Sequence, residues 1–88
     1  MDLEKTIQSG SLESCDLLVV REQAKKGAGR KIELESVVKN EYGKKILNDI
    51  QAVLDEFGIN DIFLKINDRG ALTPTIKARV AAVLDSNL

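Results

Sequence analysis

The chain has 88 residues, 43% of them hydrophobic, with 13 basic and 14 acidic side chains, no histidine and a formal net charge of -1. That length makes one small domain with a modest core, and the balanced charge excludes polyanion binding as its organising function. One cysteine without any histidine excludes an internal disulfide and a zinc site. Tyr42, Phe57 and Phe63 leave little for base stacking, so nucleic acid is not an expected partner. No apolar run reaches the length of a membrane span, so no membrane is expected either.

Residues 1–88 read as a single domain. Met1 to Gln8 is short and charged and is expected to be mobile, settling near Ile7. The start lacks the apolar core of a signal peptide, and a lone cysteine suits a reducing compartment, so the expected location is cytoplasmic. Ser9 to Asp16 is small, polar and turn-prone. Leu17 to Val20 is apolar and partly β-branched, the core of a first strand over Asp16 to Glu22. Its consecutive apolar residues suit a strand that is central or covered on both faces. The strand roots the loop and leaves Ser14 at the rim between Glu13 and Asp16, with its hydroxyl open to solvent. On composition alone, such a loop reads as a Ser/Asp cap on a strand end.

Gln23 to Arg30 is a glycine-containing charged turn. Ile32, Leu34 and Ser36 then alternate with Lys31, Glu33 and Glu35, a half-exposed second strand that would form a hairpin with the first. Ser36 is placed to cap a helix running to Phe57. Its apolar stripe is Val38, Tyr42, Ile46, Ile50, Val53, Leu54 and Phe57. Gly43 inside it marks a place of close packing, and Gly58 closes it in the left-handed conformation. Asp61 to Asn67 is a third strand, with Ile62, Leu64 and Ile66 on one face and Phe63 and Lys65 on the other. Asn67 to Gly70 turns. Thr73 caps a last helix with Pro74 in its first position and Ile76, Val80, Val83 and Leu84 as its stripe. The fold class is α+β in the order ββαβα. The expected architecture is a three-stranded sheet with the first strand central, both helices packed on one face, and a right-handed crossover from second to third strand.

Two stretches resemble a known family. Gly10-Ser11-Leu12-Glu13-Ser14-Cys15-Asp16 is similar to the attachment segment of the citrate lyase acyl carrier protein, the gamma subunit of that enzyme. Asn67-Asp68-Arg69-Gly70-Ala71-Leu72, followed by Ile76, Ala78, Arg79 and Ala82, resembles the family's turn and last helix. The order of elements between them agrees, so the likeness spans nearly the whole chain. Cys15 departs from the pattern, which has Gly, Ser or Asn there. Conventional acyl carrier proteins are helical bundles with the modified serine at a helix start directly after Asp. Here Ser14 precedes a strand and Asp16 follows it.

The resemblance implies that Ser14 carries 2'-(5''-phosphoribosyl)-3'-dephospho-CoA through a phosphodiester. The thiol of that group would bear acetyl or citryl while citrate is cleaved to acetate and oxaloacetate. It implies as partners an alpha subunit that transfers the acyl group, a beta subunit that lyses citryl, and a transferase that installs the group. The carrier itself would be non-catalytic. Glu13 and Asp16 either orient the modifying enzyme or its metal, or are solvated loop acids. Cys15 has no activating neighbour and reads as a small, partly buried side chain. Lys25 to Lys31 reads as a solvated hairpin turn before it reads as a docking surface, since it lacks the phosphate-loop pattern. Arg79 either reaches a loop carboxylate such as Asp68 or faces water. Two alternatives remain at this point: the carrier subunit of malonate decarboxylase, which uses a similar group, and a small interaction module with no covalent group.

Overall fold

A computed structural model describes residues 6–85; of the segment Met1 to Gln8 expected to be mobile, Met1 to Lys5 lie outside the described residues, whereas Thr6 to Gln8 belong to a strand. Hydrophobic alternation builds the sheet. In β4 (Ile62–Asp68), Ile62, Leu64, Ile66 and Asp68 are buried, while Phe63, Lys65 and Asn67 point to the other face. β2 (Leu17–Glu22) buries Leu17 and Val19 on the same side, and β3 (Arg30–Ser36) buries Leu34 there. A further strand, β1 (Thr6–Gly10), precedes them.

The sheet therefore has four strands rather than the expected three, in the order β1-β2-β4-β3. β1 escaped the sequence reading because Thr-Ile-Gln-Ser-Gly holds a single large apolar residue, too little for a periodic signal. The hairpin is formed by β1 and β2, antiparallel, and not by the two strands predicted first. β3 pairs in parallel with β4, and β4 pairs antiparallel with β2. Alternation reveals that a strand exists but not its neighbour. Here β3 runs directly into a helix, and such a crossover returns the chain parallel to β3. The slot beside β2 goes to β4, whose inner face is apolar. β3, with Lys31, Glu33 and Glu35, stays at an edge, where charges discourage further pairing. The expectation of a central first strand holds, since β2 lies between β1 and β4.

Both helices cover one face of the sheet. α1 (Lys39–Glu56) lies over β3, and α2 (Thr73–Leu84) lies over β2 and β1 and against α1. Ile46, Ile50, Val53 and Leu54 of α1 meet Ile76, Val80, Val83 and Leu84 of α2 in one core with Leu17, Val19, Ile62, Leu64 and Ile66. Each such side chain contributes about 1.5–3 kcal/mol by leaving water. The predicted stripe holds from Ile46 to Leu54, and Val38 packs against the core, but Tyr42 and Phe57 are 55% and 38% exposed. They sit in the first turn and just past the last. Gly43 is buried, but it does not mark the close packing expected of it, since a Cβ there would meet only the Lys39 side chain of its own helix.

The helix ends divide similarly. Gly58 takes φ +68 after α1. Its N–H donates to the Asp55 carbonyl and that of Ile59 to the Leu54 carbonyl, the paired bonds of a Schellman stop. The two predicted N-caps are displaced. Ser36 ends β3 instead, accepting from the Val38 N–H, and the helix starts at Lys39. Thr73 is already helical, and its hydroxyl donates to Asp49 Oδ2 at 2.8 Å and accepts from Lys45, which ties α2 to α1. Both hydroxyls have better partners across the fold than the local amide they were expected to cap.

Candidate functional site

β3 and β4 are parallel and end together. β2 starts at that end, and both helices begin there. The β1–β2 loop, Ser11 to Asp16, closes the same end. Gly10 makes its tight entry possible. It has φ +91, and a Cβ on it would fall 1.8 Å from the Leu17 carbonyl oxygen. The Ser11 N–H donates to that same carbonyl at 3.2 Å.

Within the loop, the Asp16 N–H donates to the Glu13 carbonyl at 3.2 Å, closing a four-residue turn. Ser14 and Cys15 are its two corners. Cys15 has φ +64, the one non-glycine residue with positive φ among those described, so the corners have the backbone signs of a type II turn. That turn favours Gly or Asn at its second corner, which is where Cys15 departs from the family pattern. The Cys15 side chain is exposed, not partly buried as expected.

The turn is held from outside. Cys15 N–H donates to the Arg69 carbonyl at 2.8 Å, and Arg69 N–H to the Asp16 carbonyl at 2.9 Å, which prolongs the β2–β4 ladder into the loop. The Asp16 carboxylate is a second fastening. Its Oδ1 accepts from Leu17 N–H at 2.8 Å and Arg79 Nε at 3.1 Å; its Oδ2 accepts from Ser11 Oγ at 2.8 Å and Arg79 Nη2 at 3.1 Å. Such a two-pronged guanidinium contact fixes orientation as well as charge. It pulls the Asp16 pKa down to about 2, with Arg79 the largest cause, then Ser11 and the Leu17 amide, against a smaller opposing effect of burial. Arg79 thus reaches a loop carboxylate, but that of Asp16 rather than Asp68.

Asp68 is fully buried and does different work. Its carboxylate accepts from Ser36 Oγ at 2.8 Å, Gly70 N–H at 3.1 Å and Ala71 N–H at 2.9 Å. It therefore ties the end of β3 to the β4–α2 turn that holds Cys15. The local sequence Asn67 to Gly70 predicts a turn at Asp68, whereas the residue ends β4. The available signal was period two, since Asp68 continues the inward row Ile62, Leu64, Ile66. Ser36, its register partner on β3, ends the inward row Ile32, Leu34.

The three loop-side hydroxyls are thereby sorted. Ser11 serves Asp16 and, through Oγ, accepts from the Glu13 N–H at 3.2 Å; Ser36 serves Asp68. Ser14 stands exposed at the turn's first corner. Glu13 beside it is exposed, while Asp16 is occupied with the latch. The basic loop Lys25 to Lys31 lies at the opposite end of the sheet. Arg30 there bonds Ile59, Gln51 and Asp55, and Lys31 lies over the Phe63 ring. Among the described residues no helix is long and apolar enough to cross a membrane.

A family model named ACP and described as "Malonate decarboxylase delta subunit (MdcD)" matches residues 4–86. Curated relatives carry the name citrate lyase acyl carrier protein. That of Treponema denticola is 40% identical, over 96% of this chain and 93% of its own length. Those of Lactobacillus acidophilus and Halothermothrix orenii are 39% and 31% identical, over 93% and 97% of this chain and 82% and 88% of their own lengths. The chain belongs to the citrate lyase acyl carrier protein family. No solved structure gives a significant match. The exposed serine stands on a doubly fastened turn of a mixed sheet with two helices, not of a helical bundle.

Proposed function

We propose that this chain is the acyl carrier subunit of a citrate lyase and that Ser14 Oγ is its attachment point for phosphoribosyl-dephospho-CoA. The observation that carries the reading is the sorting of hydroxyls: Ser11 and Ser36 are bound into the fold, and Ser14 is left exposed on a turn fixed at both flanks. The residues fit the group. A primary hydroxyl accepts a phosphodiester, and its exposure leaves room for a bulky adduct. When bound, the group supplies a thiol that holds an acyl residue as a thioester.

The chain's own part is to present and to position. Asp16, Arg79 and Arg69 hold the turn so that the hydroxyl projects at one place. Tethering then replaces bulk diffusion by a high local concentration between partner sites. The chain contributes no reacting group beyond the attachment serine, so the chemistry belongs to the acyl-transferring alpha subunit and the citryl-splitting beta subunit, with a separate transferase loading Ser14. Exposed Glu13 is positioned to meet that transferase. The setting is the cytoplasm.

A second reading has a specific observation behind it, namely the malonate decarboxylase description of the matching family model. Incubation of loaded protein with each pair of partner subunits separates the two. Citrate cleavage is expected with the citrate lyase pair, and malonate decarboxylation with the other pair would reverse the assignment. The attachment itself is tested by intact mass and peptide mapping of protein isolated from citrate-grown host cells. The expected result is one adduct on Ser14. Uniformly unmodified protein from such cells removes the proposal.

A further inference from the structure

The turn that fastens Cys15 continues into the wall of an apolar groove. Gly70, Ala71 and Leu72 follow Arg69 and face Val38, Tyr42 and Ile46 of the α1 start across an opening of about 560 Å³, with Pro74 at one side. Tyr42 and Leu72 are 55% and 74% exposed, so the groove places two large apolar side chains in water next to the attachment loop. The distance is short. Through the Cys15–Arg69 hydrogen bond, Gly70 Cα lies within about 12 Å of Ser14 Cα by backbone dimensions. Arg69 and Lys39 line a second cleft together with Glu35 and Val37.

We infer that this groove takes the thiol-bearing arm of the group carried on Ser14, so that the loaded arm folds back on the carrier between visits to its partners. The inference rests on the reading of Ser14 given above. The chemistry agrees. Phosphates of the group meet Arg69 and Lys39, where opposite charge favours them. The amide-and-methyl part farther out meets Tyr42, Leu72 and Pro74, where apolar contact favours it. The occupant is covalently attached, so even a weak groove is filled by its own arm at high effective concentration. Docked there, the thioester end is withdrawn from water and from stray thiols, and a partner subunit must draw it out.

Tyr42 is the single tyrosine in a chain without tryptophan, so intrinsic emission reports on this groove. Apo protein and protein loaded by the transferase are compared after mass mapping has located the adduct. The expected result is a change in Tyr42 emission on loading, with nuclear Overhauser contacts from the arm's methyl protons to the Tyr42 ring and Leu72 methyls. Leu72→Lys, at an exposed position, should keep the fold and the adduct, lose those contacts, and make the arm's thiol severalfold faster to alkylate. An adduct on Ser14 whose arm touches only residues 11–16, with equal alkylation in both proteins, overturns this inference alone. Absence of any adduct on Ser14 overturns the proposed function and this inference with it.

Discussion

The two ends of the sheet use one device for different results. At one end Asp16 accepts hydrogen bonds that close the Ser11–Asp16 loop; at the other, Asp61 accepts from the Gly27 and Gly29 amides and closes the basic loop. Both carboxyls are held below their usual pKa, Asp16 chiefly by Arg79 and Asp61 chiefly by the Gly27 amide and then that of Gly29. The basic loop is fastened to the α1–β4 stretch: Arg30 grips the end of α1 and the Ile59 carbonyl, and the Ile62 N–H donates to the Gly29 carbonyl. The Ser14 loop is fastened by its own Asp16 and by Arg69 and Arg79 from far along the chain, and one hydroxyl is left over. Both loops are thus closed with help from distant residues. What sets the Ser14 turn apart is that its fastening does not use the turn's own corner side chain, which is left to be presented.

The largest expected effects break this contrast from either side. Ser14→Ala should abolish adduct formation and all carrier activity while changing stability by less than about 0.5 kcal/mol, since the side chain is exposed. Lys25→Ala with Lys26→Ala at the far end should leave loading intact, as mass spectrometry after incubation with the transferase would show. Ile50→Ala should do the reverse. Ile50 is fully buried at the middle of α1 beneath both ends, and truncating a buried Ile costs about 2–5 kcal/mol. Thermal melting should lose cooperativity, and loading should then fail because neither end is supported. A melt within a degree or two of the parent would show that the α1 register carries less of the core than its burial says.

Glycines sharpen the comparison. Gly10 and Gly27 both have positive φ, +91 and +87. An added Cβ at Gly27 meets nothing within 4 Å, whereas at Gly10 it falls 1.8 Å from the Leu17 carbonyl oxygen. Gly27→Ala should therefore cost only the left-handed strain, about 1–2 kcal/mol. Gly10→Ala should cost clearly more, because the β1–β2 hairpin must open to admit the methyl. Paired urea melts give the ranking, and equal losses would mean that the attachment loop is less tightly built than its geometry shows.

Much of this was legible before any coordinates. Strand alternation in Ile32–Leu34 and Ile62–Leu64–Ile66, the glycine stop at Gly58 and the exposure of Ser14 follow from local rules, and the structure has them. What was not legible is pairing. Nothing in the sequence says that β4 enters between β2 and β3, since that choice is made by comparing whole faces. The Asp16–Arg79 latch and the Asp68 cluster were missed for the same reason. Each joins residues more than thirty positions apart, and a single sequence shows the partners but not the meeting. The period puts Tyr42 on the apolar stripe, and period does not say whether a neighbour covers that position.

Acid should loosen the Ser14 end through the latch. The Asp16 pKa is about 2 in the folded chain against an ordinary 3.8. The folded state thus prefers the ionised form, and this stabilisation is fully present above about pH 4. It is lost as pH falls from 3.8 toward 2 and is gone below that, where both states are protonated. Asp61 shifts in the same direction, so the far end weakens with it. Arg79→Met removes the leading cause at Asp16 and leaves Asp61 untouched. Its stability curve should be flatter than the parent's between pH 4 and pH 2, and amide exchange should speed up in residues 11–16 but not 25–29. Parallel curves would show that the latch is not formed in solution.

The smallest effect is expected at Cys15, and it isolates the turn from the latch. Cys15 holds φ +64 at the second corner, where an L-residue carries strain of about 1–2 kcal/mol and glycine carries none. Glycine also gives the unfolded chain more freedom, which offsets part of the gain. The Cys15 side chain is exposed, so its removal forfeits little packing. Cys15→Gly should thus stabilise by about 0.5–1 kcal/mol, read as a small rise in melting temperature. The Cys15 N–H that donates to Arg69 is a backbone group and survives the change, so Ser14 should still be loaded, at a rate near the parent's. A destabilised Cys15→Gly protein would mean that the thiol has a partner and that the turn is not held by its backbone alone.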